Sequence, residues 1–401
     1  MWYYVASTPL ALVNALDVLI NVLAVKTLRL SLHEVSLLNA MWILVLLLLS
    51  KSAEKYFYHG LSKKSILVAN SALTASTLVL YLSILYSQRG LLYVSYAFHA
   101  VAFLHYRVGV QIGILENYFS HEWGFINKKV LTTTLLVDGL VLSLLATWRL
   151  DVSKPGELTL ILLQCLAAGL LAQLVTPQPI VRFTRIVEKL ERNAELGLGL
   201  TDSLVLLASL GSSSNTTWIK MYLSRRRAVS TLTLLLTSLV VFKISSEYLW
   251  TPLPYILINT HGLSADSVLA LYGAGKIIAS VILHVLPQWI SSELAVSLAI
   301  LLRSTCTLTL LLLTPTSVIV ATLLALIYSL GVVVDVTVYS AYLKITLGEK
   351  ITLFPAISEL AGFIGAVSSS SALSTLGLNL YSFIIVLLNF TSLLLVLKAL
   401  K

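Results

Sequence analysis

Nine ionisable side chains lie inside segments of the sequence that are otherwise apolar. They are Asp17, Arg107, Asp138, Lys243, Glu247, Lys276, Arg303, Asp335 and Glu359. A charged group in the middle of a bilayer costs at least about 2.5–3.5 kcal/mol on insertion scales, so such groups normally face protein or water. Carboxylates in this environment can take up and release protons, and cations can bind the anionic groups of a solute. The set therefore predicts a polar path through a membrane.

The composition is that of an integral membrane protein. Of 401 residues, 58% are hydrophobic and 11% are charged, and the mean hydropathy is +0.92, outside the range of soluble domains. The net charge of +9 does not indicate nucleic-acid binding, because the basic residues concentrate in particular loops. Cys165 and Cys306 lie in apolar runs, which argues against a disulfide framework or a thiolate metal site. Without a P-loop or a zinc-binding spacing, we expect no ATP-driven pump, no metal and no cofactor.

Twelve segments are long and apolar enough to cross a hydrocarbon core of about 30 Å. They span residues 3–25, 34–52, 65–87, 90–116, 129–149, 157–176, 230–256, 265–287, 293–314, 317–345, 351–374 and 378–398. We therefore predict an all-α membrane protein with twelve transmembrane helices in two bundles of six, at 1–176 and 230–401. A hydrophilic linker, 177–229, joins the bundles and contains an amphipathic helix that lies on the membrane surface or binds a partner.

The distribution of lysine and arginine predicts the orientation in the membrane. The linker, the loops on its side and the C-terminus hold 18 of these residues, whereas the opposite loops hold five. Because basic residues concentrate in cytoplasmic loops, the bias places both termini and the linker in the cytoplasm. It also requires an even number of crossings. We expect a monomeric, multi-pass protein of the plasma membrane.

The two halves of the chain share a short sequence pattern. LSLHEV begins at Leu30 and LSADSV begins at Leu263, and both lie between the first and the second helix of their half. We call the separation between Leu30 and Leu263 the repeat offset. The position of the pattern favours a duplicated six-helix unit whose two copies have the same orientation and are related by a pseudo-twofold axis.

Polar side chains form stripes along the predicted helices that contain most of the charges. At 100° per residue, the stripes are Asn14, Asp17 and Asn21 in helix one; Tyr96, His99 and Tyr106, with Arg107 nearby, in helix four; and Tyr328, Asp335, Tyr339 and Tyr342 in helix ten. Helix seven carries Lys243 and Glu247. We therefore expect helices one, four, seven and ten to line a central path.

Some of these charges can neutralise one another. Lys243 and Glu247 are four residues apart on helix seven and can pair. Arg303 lies outside the predicted path, and we expect it to pair with Glu359 or to extend towards the membrane surface. An alternative interpretation is that the charges form only structural bridges between helices. Their concentration in helices one, four, seven and ten favours a path instead.

With this organisation the chain resembles the major facilitator superfamily. Both have two six-helix bundles, a long cytoplasmic linker, cytoplasmic termini and, before helices two and eight, an LSxxxV pattern. The stretch SKSAEKYFYHGLSKKSIL after helix two resembles the family motif GxLaDRxGRK through Glu54, Lys55, Gly60, Lys63 and Lys64. Arg107 resembles the arginine of the RxxQG motif in helix four, with Gln111 one place late. Helix five lacks the GxxxGPxxGG motif of the drug/proton antiporters.

The resemblance implies a cavity between helices one, four, seven and ten, and alternating access by two rigid halves. It makes Asp17, Glu247 and Asp335 candidates for proton coupling, and Arg107, Lys243 and Lys276 candidates for binding anionic groups. The full set of predicted path residues is Asn14, Asp17, Asn21, His99, Arg107, Lys243, Glu247, Lys276, Asp335 and Tyr339. The predicted cytoplasmic gate is Glu54, Lys55, Gly60, Lys63 and Lys64.

These patterns favour a secondary transporter, not an enzyme, that moves a small polar or charged organic solute together with protons. Two alternatives are an efflux pump for amphipathic compounds and a non-transporting membrane enzyme or receptor. Efflux predicts mostly apolar cavity walls, which the charges argue against. An enzyme predicts catalytic groups that converge near one membrane surface, whereas these charges lie in the middle of their segments.

Overall fold

The computed structural model describes residues 2–118, 122–147, 155–177, 216–285, 293–313, 316–346 and 353–400. Eleven long helices form the fold in these ranges. They are α1 Trp2–Lys26, α2 Leu32–Tyr58, α3 Ser62–Leu85, α4 Arg89–Asn117, α5 Trp123–Thr147, α6 Pro155–Val175, α7 Thr216–Trp250, α8 Ala265–Val285, α9 Glu293–Leu312, α10 Ser317–Thr346 and α11 Leu353–Leu400. Nine stretches of the described chain are long and apolar enough to cross a membrane. The structure is therefore that of a multi-pass membrane protein.

The helices differ from the predicted ones at two places. α7 begins at Thr216, well before the predicted start at residue 230, so part of the predicted linker is helical. The last two predicted helices form one element, α11, which is broken at Gly377 by a φ of 70° and a ψ of 167°. The predicted amphipathic helix lies outside the described residues, and the count of twelve stays a prediction.

Helix α1 lies at the centre of the fold. It packs against α4, α5, α6 and α8, and between residues 11 and 25 every side chain is buried except Asn14 and Asp17. A helix that is apolar and buried on all sides contacts protein rather than lipid. The accessible surface of Asn14 and Asp17 therefore opens into space between helices.

Two connections in different halves of the chain have the same backbone hydrogen bonds. In the connection from α1 to α2, the N–H groups of residues 28, 30 and 35 donate to the carbonyls of residues 23, 24 and 31 at 2.9–3.1 Å. In the connection from α7 to α8, residues 261, 263 and 268 donate to residues 256, 257 and 264 at 3.0 Å. Each donor and each acceptor of the first connection is separated from its counterpart in the second by the repeat offset.

The repeat offset also relates the turn and the helix start of each connection. Arg29 has a φ of 50° and Gly262 has a φ of 68°. In each connection the chain therefore reverses direction through a residue in the left-handed conformation. Ser31 Oγ accepts from the backbone N–H of Glu34 at 3.4 Å, and Ser264 Oγ accepts from that of Ser267 at 3.2 Å. Both serines are thus N-caps. The repeated pattern LSxxxV encodes one turn geometry in both halves.

The two halves meet mainly along two pairs of helices, in addition to the contact of α1 with α8. Helix α5 packs along α8, where a Cβ added to Gly139 would lie 2.7 Å from the carbonyl oxygen of Gly273, so two backbones approach closely. Helix α2 packs on α11, where Ser36 Oγ lies 3.2 Å from Ser369 Oγ. His33 Nδ1 lies 3.0 Å from Ser370 Oγ in the same contact. We call this contact the outer seam, because the predicted orientation places it at the extracellular side.

Candidate functional site

The carboxylate of Asp17 belongs to a hydrogen-bonded group that joins α1, α2 and α4. The hydroxyl of Tyr96 donates to Asp17 Oδ1 and accepts from Asn21 Nδ2 at 3.0 Å. The same hydroxyl lies 3.1 Å from Asn39 Oδ1, and Asn39 Nδ2 donates to Asn21 Oδ1 at 2.8 Å. We call Asp17, Asn21, Asn39 and Tyr96 the Asp17 cluster. The predicted polar stripe of α1 thus faces protein partners and interior space.

His99 supports this cluster from behind. Trp42 Nε1 donates to His99 Nδ1 at 2.9 Å, so the ring proton of the neutral imidazole lies on Nε2, which is 2.7 Å from the carbonyl of Val13. The imidazole stacks on the ring of Tyr96, with centroids 5.4 Å apart. Because His99 is fully buried and both nitrogens have partners, it positions Tyr96 rather than facing a solute.

The opposite wall is formed by α7 and α10. Lys243 Nζ lies 2.8 Å from Asp335 Oδ2, with 24% and 42% of the two side chains exposed. Glu247 Oε2 accepts from the hydroxyl of Thr251 at 3.0 Å. The predicted pair of Lys243 with Glu247 is therefore wrong, because α10 presents a carboxylate to Lys243 and Thr251 lies one turn beyond Glu247.

Arg303 is buried behind α7. Its Nη2 donates to Ser246 Oγ at 3.0 Å, its Nη1 lies 3.5 Å from Asn389 Oδ1, and the guanidinium lies 4.6 Å from the centroid of the Phe242 ring. The predicted pairing with Glu359 is therefore wrong. The hydroxyl oxygen of Ser246 on α7 and the amide oxygen of Asn389 on α11 bind this cation in place of a carboxylate.

Charged groups of the two halves lie close enough to influence one another electrostatically. Asp17 interacts electrostatically with Glu247, and Arg107, which is exposed, interacts with Tyr339 and Glu359. These interactions join α1 and α4 to α7, α10 and α11. These helices therefore carry groups that are able to bind protons and polar solutes.

Lys276 and Asp138 form an ion pair between the halves. Lys276 Nζ on α8 lies 2.6 Å from Asp138 Oδ2 on α5, with 6% and 1% of the side chains exposed. Within the described chain, Asp138 Oδ1 has no hydrogen-bond partner. Lys276 Nζ lies 5.7 Å from the ring centroid of Tyr328. Lys276 is therefore neutralised and buried. The prediction that it is accessible to a solute is wrong.

Two tyrosines of the predicted stripes face other helices. Tyr106 donates to Asn70 Oδ1 of α3, and Tyr342 packs on Phe354 with ring centroids 5.2 Å apart. Asn39 and Trp42, in contrast, were not predicted to be site residues. The sequence feature that could have identified them is the presence of two side chains with polar groups in the apolar run LLNAMWIL.

The predicted gate lies in the turn between α2 and α3. Gly60 has a φ of 62°, and the N–H of Leu61 donates to the carbonyl of Tyr56 at 3.0 Å, which is a glycine-based helix C-cap. Lys55 and Lys64 are exposed and Lys63 is half-buried. The side chain of Glu54 lies outside the described part of the chain. The gate function of this turn stays a prediction.

No protein-family model and no curated protein sequence matches this chain. A solved structure with a similar fold is the crystal structure of a D-xylose-proton symporter. The TM-score is 0.66 and the identity is 12%, over 99% of this chain and 95% of that chain. The likeness therefore extends over the entire fold. The chain therefore has the fold of this symporter, which agrees with the resemblance to the major facilitator superfamily that the sequence indicated.

Proposed function

We propose that this protein is a secondary transporter that moves a small polar or charged organic solute together with protons. The observation that carries the proposal is the set of polar groups on α1, α7 and α10, where Asp17 is partly accessible and Lys243 pairs with the partly exposed Asp335. A path for a soluble molecule must supply polar groups at a depth where lipid supplies none. The similar fold of a D-xylose-proton symporter supports a transporter in preference to an enzyme or a receptor.

We assign the roles of the site residues from their surroundings. Asp17 is the first candidate for proton uptake, because it is partly accessible and lies within the Asp17 cluster. Glu247 is the second candidate, because it interacts electrostatically with Asp17 and accepts a hydrogen bond from the neutral hydroxyl of Thr251. Asp335, with 42% of its side chain exposed, exchanges its partner Lys243 for a solute. The remaining contacts to a solute come from Asn14, Arg107 and Tyr339, whereas the buried amide of Asn21 orients the Asp17 cluster.

We further propose the complete membrane architecture. Two bundles, 1–176 and 230–401, hold six membrane-spanning helices each, with the linker 177–229 and both termini in the cytoplasm of a plasma-membrane monomer. The break at Gly377 divides α11 into the eleventh and twelfth spans. The corresponding backbone hydrogen bonds of the two connections, separated by the repeat offset, support a duplicated unit. Two rigid halves would rock about the contacts of α2 with α11 and of α5 with α8.

Uptake into proteoliposomes tests the transport activity. Radiolabelled D-xylose and pools of amino acids, organic acids and organic amines would be offered with and without an inward proton gradient, to the natural protein and to Asp17→Asn. Asp266→Asn is the matched control, because Asp266 lies in the first turn of α8. We expect gradient-driven uptake of one pool that is lost in Asp17→Asn alone. Uptake that is unchanged in Asp17→Asn would contradict the role of Asp17.

Cross-linking tests alternating access. Ser36→Cys with Ser369→Cys places two thiols across the outer seam, where the serine oxygens are 3.2 Å apart. Ser238→Cys with Ser392→Cys is the control within one half, where the oxygens are 2.9 Å apart. We expect oxidation to stop uptake reversibly in the first variant and to leave it unchanged in the second. Continued uptake across an oxidised outer seam would refute a rocking motion of the halves.

A further inference from the structure

We propose that Tyr96 is a positioning residue that transmits the protonation state of Asp17 to α2. It does so by turning its single hydroxyl proton from Asp17 to Asn39. This inference rests on the proposed function in one respect, which is that Asp17 takes up the coupled proton. It adds a route by which that proton reaches the outer seam.

Hydrogen-bond counting around the Tyr96 hydroxyl carries the argument. A phenolic hydroxyl has one proton to donate and two lone pairs that accept. Three polar groups surround it: Asn21 Nδ2 at 3.0 Å, Asn39 Oδ1 at 3.1 Å and Asp17 Oδ1. The amide of Asn21 donates, so the two oxygens compete for one proton.

The orientation of both amides follows from their other bonds. Asn39 Nδ2 donates to the carbonyl of Val35 at 2.9 Å and to Asn21 Oδ1 at 2.8 Å. Asn21 Nδ2 donates to the carbonyl of Asp17 at 3.0 Å. Flipping either amide would place nitrogen against a donor or oxygen against a carbonyl. The oxygen of Asn39 therefore faces the Tyr96 hydroxyl.

The group has two complete arrangements that differ by one proton. When Asp17 is ionised, Tyr96 donates to it, in a charge-assisted hydrogen bond. When Asp17 takes a proton from water, its own O–H donates to the second lone pair of Tyr96, and the hydroxyl proton of Tyr96 turns to Asn39 Oδ1. No heavy atom of the cluster has to move. The proton comes from a hydronium ion in the water, whose O–H bond breaks as the O–H bond on Asp17 forms.

The second arrangement adds a hydrogen bond to α2 near the outer seam. Asn39 lies one helical turn from Ser36, whose hydroxyl contacts Ser369 of α11. A bond from Tyr96 to Asn39 holds α2 in the position in which it contacts α11. Protonation of Asp17 therefore favours the closed outer seam, and release of the proton favours its opening.

Other titratable groups face Asp17 or the seam and have to be separated from this effect. The groups that interact electrostatically with Asp17 are Tyr96 and His99 on α4, Asp138 on α5, Glu247 on α7, Tyr272 on α8 and Tyr328 on α10. Lys276 on α8 pairs with Asp138. His33 lies in the outer seam itself.

Pulsed electron paramagnetic resonance measures the seam without a solute. Spin labels on Thr27→Cys and Thr375→Cys, both exposed and at the outer ends of the two halves, report the closed and open populations in proteoliposomes. The native cysteines are buried, and His33→Gln removes the histidine of the seam. Distances are recorded between about pH 3 and about pH 8, a range that includes the ordinary titration of carboxylic acids and of histidine.

Three variants separate the positioning role from a merely structural one. Tyr96→Phe removes the hydroxyl and keeps the ring that stacks on His99, and Asn39→Leu removes the acceptor with little change in volume. Tyr106→Phe is the matched control, because Tyr106 lies on the same helix, is equally buried and donates to an asparagine outside the cluster.

The expected result is a ratio of closed to open populations that rises about two- to tenfold on acidification, the equivalent of one hydrogen bond. We expect that rise in Tyr106→Phe and its loss in Tyr96→Phe, Asn39→Leu and Asp17→Asn. A full rise in Tyr96→Phe overturns the relay, while an outer seam that still opens leaves the transporter proposal standing. A seam that never opens under any condition overturns the transporter proposal, and the relay with it.

Discussion

Replacing Lys276 by methionine tests whether the ion pair between α5 and α8 is as deeply buried as the structure indicates. The change removes the cation and keeps much of the aliphatic volume, so Asp138 remains with 1% of its side chain exposed. Removing one partner of a buried ion pair costs about 3–5 kcal/mol, because the other charge stays buried without compensation. We expect the free energy of unfolding to fall by that amount, which is at least a hundredfold in the folding equilibrium.

Two further variants identify the cause of the loss. Arg89→Met removes the cation of the pair with Glu34, where the N–O distance is 2.8 Å but 52% and 32% of the side chains are exposed. Such exposed pairs contribute about 0–1 kcal/mol. Asp138→Leu combined with Lys276→Met replaces both charges by apolar groups, a change that is often neutral or stabilising. The double variant should therefore be more stable than Lys276→Met alone.

Unfolding in detergent micelles, followed by tryptophan fluorescence, measures these differences. The reasoning predicts the order natural protein, Arg89→Met, Lys276→Met, from the most to the least stable. It is refuted if Lys276→Met costs no more than Arg89→Met. It is also refuted if the double variant is as unstable as the single one, because the loss would then come from packing and not from an unpaired charge.

Three other predictions use the same unfolding measurement. Gly139→Ala should lower the free energy of unfolding by about 1–3 kcal/mol, because the added Cβ would lie 2.7 Å from a backbone atom. Gly90→Ala should be neutral or stabilising, because no atom lies within 4 Å of its added Cβ. Equal effects of the two changes would contradict the close contact. Gly377→Ala should cost about 1–2 kcal/mol because its φ of 70° is unfavourable for an L-residue, and a neutral effect would argue against the break. Ser31→Ala and Ser264→Ala should each cost about 1 kcal/mol as lost N-caps; a large difference would contradict their equivalence.

The sequence predicted which helices carry the charged side chains, but not which of these side chains pair. The cost of a charge in lipid is a local property, so Asp17 and Asp335 could be assigned to an inner face from the apolar residues around them. Pairing depends on the approach of separate helices. The spacing of Lys243 and Glu247 on one helix is suitable for a pair, yet Lys243 lies 2.8 Å from Asp335 of α10. A contact between two separate helices cannot be predicted from the spacing of residues within one of them.

The periodicity of one helix also does not tell which neighbour receives each polar residue. Tyr96 and Tyr106 belong to one predicted stripe, but Tyr96 contacts Asp17 and Tyr106 contacts Asn70 on α3. The reason is that α4 lies between α1 and α3, so residues a few turns apart meet different helices. Asn39 escaped prediction for a related reason, because an amide carries no charge and its role depends on partners from two other helices.

The connections related by the repeat offset explain why so weak a sequence repeat still marked a real structural correspondence. Three identities are few, but Ser31 and Ser264 are the helix caps, and the residues two places earlier, Arg29 and Gly262, reverse the chain at positive φ. Backbone hydrogen bonds tolerate almost any side chain, so most positions of the two connections can differ. What must be retained is a cap with a hydroxyl and a turn that admits the left-handed conformation. The two connections therefore share residues where backbone geometry, and not packing, restricts the choice of residue.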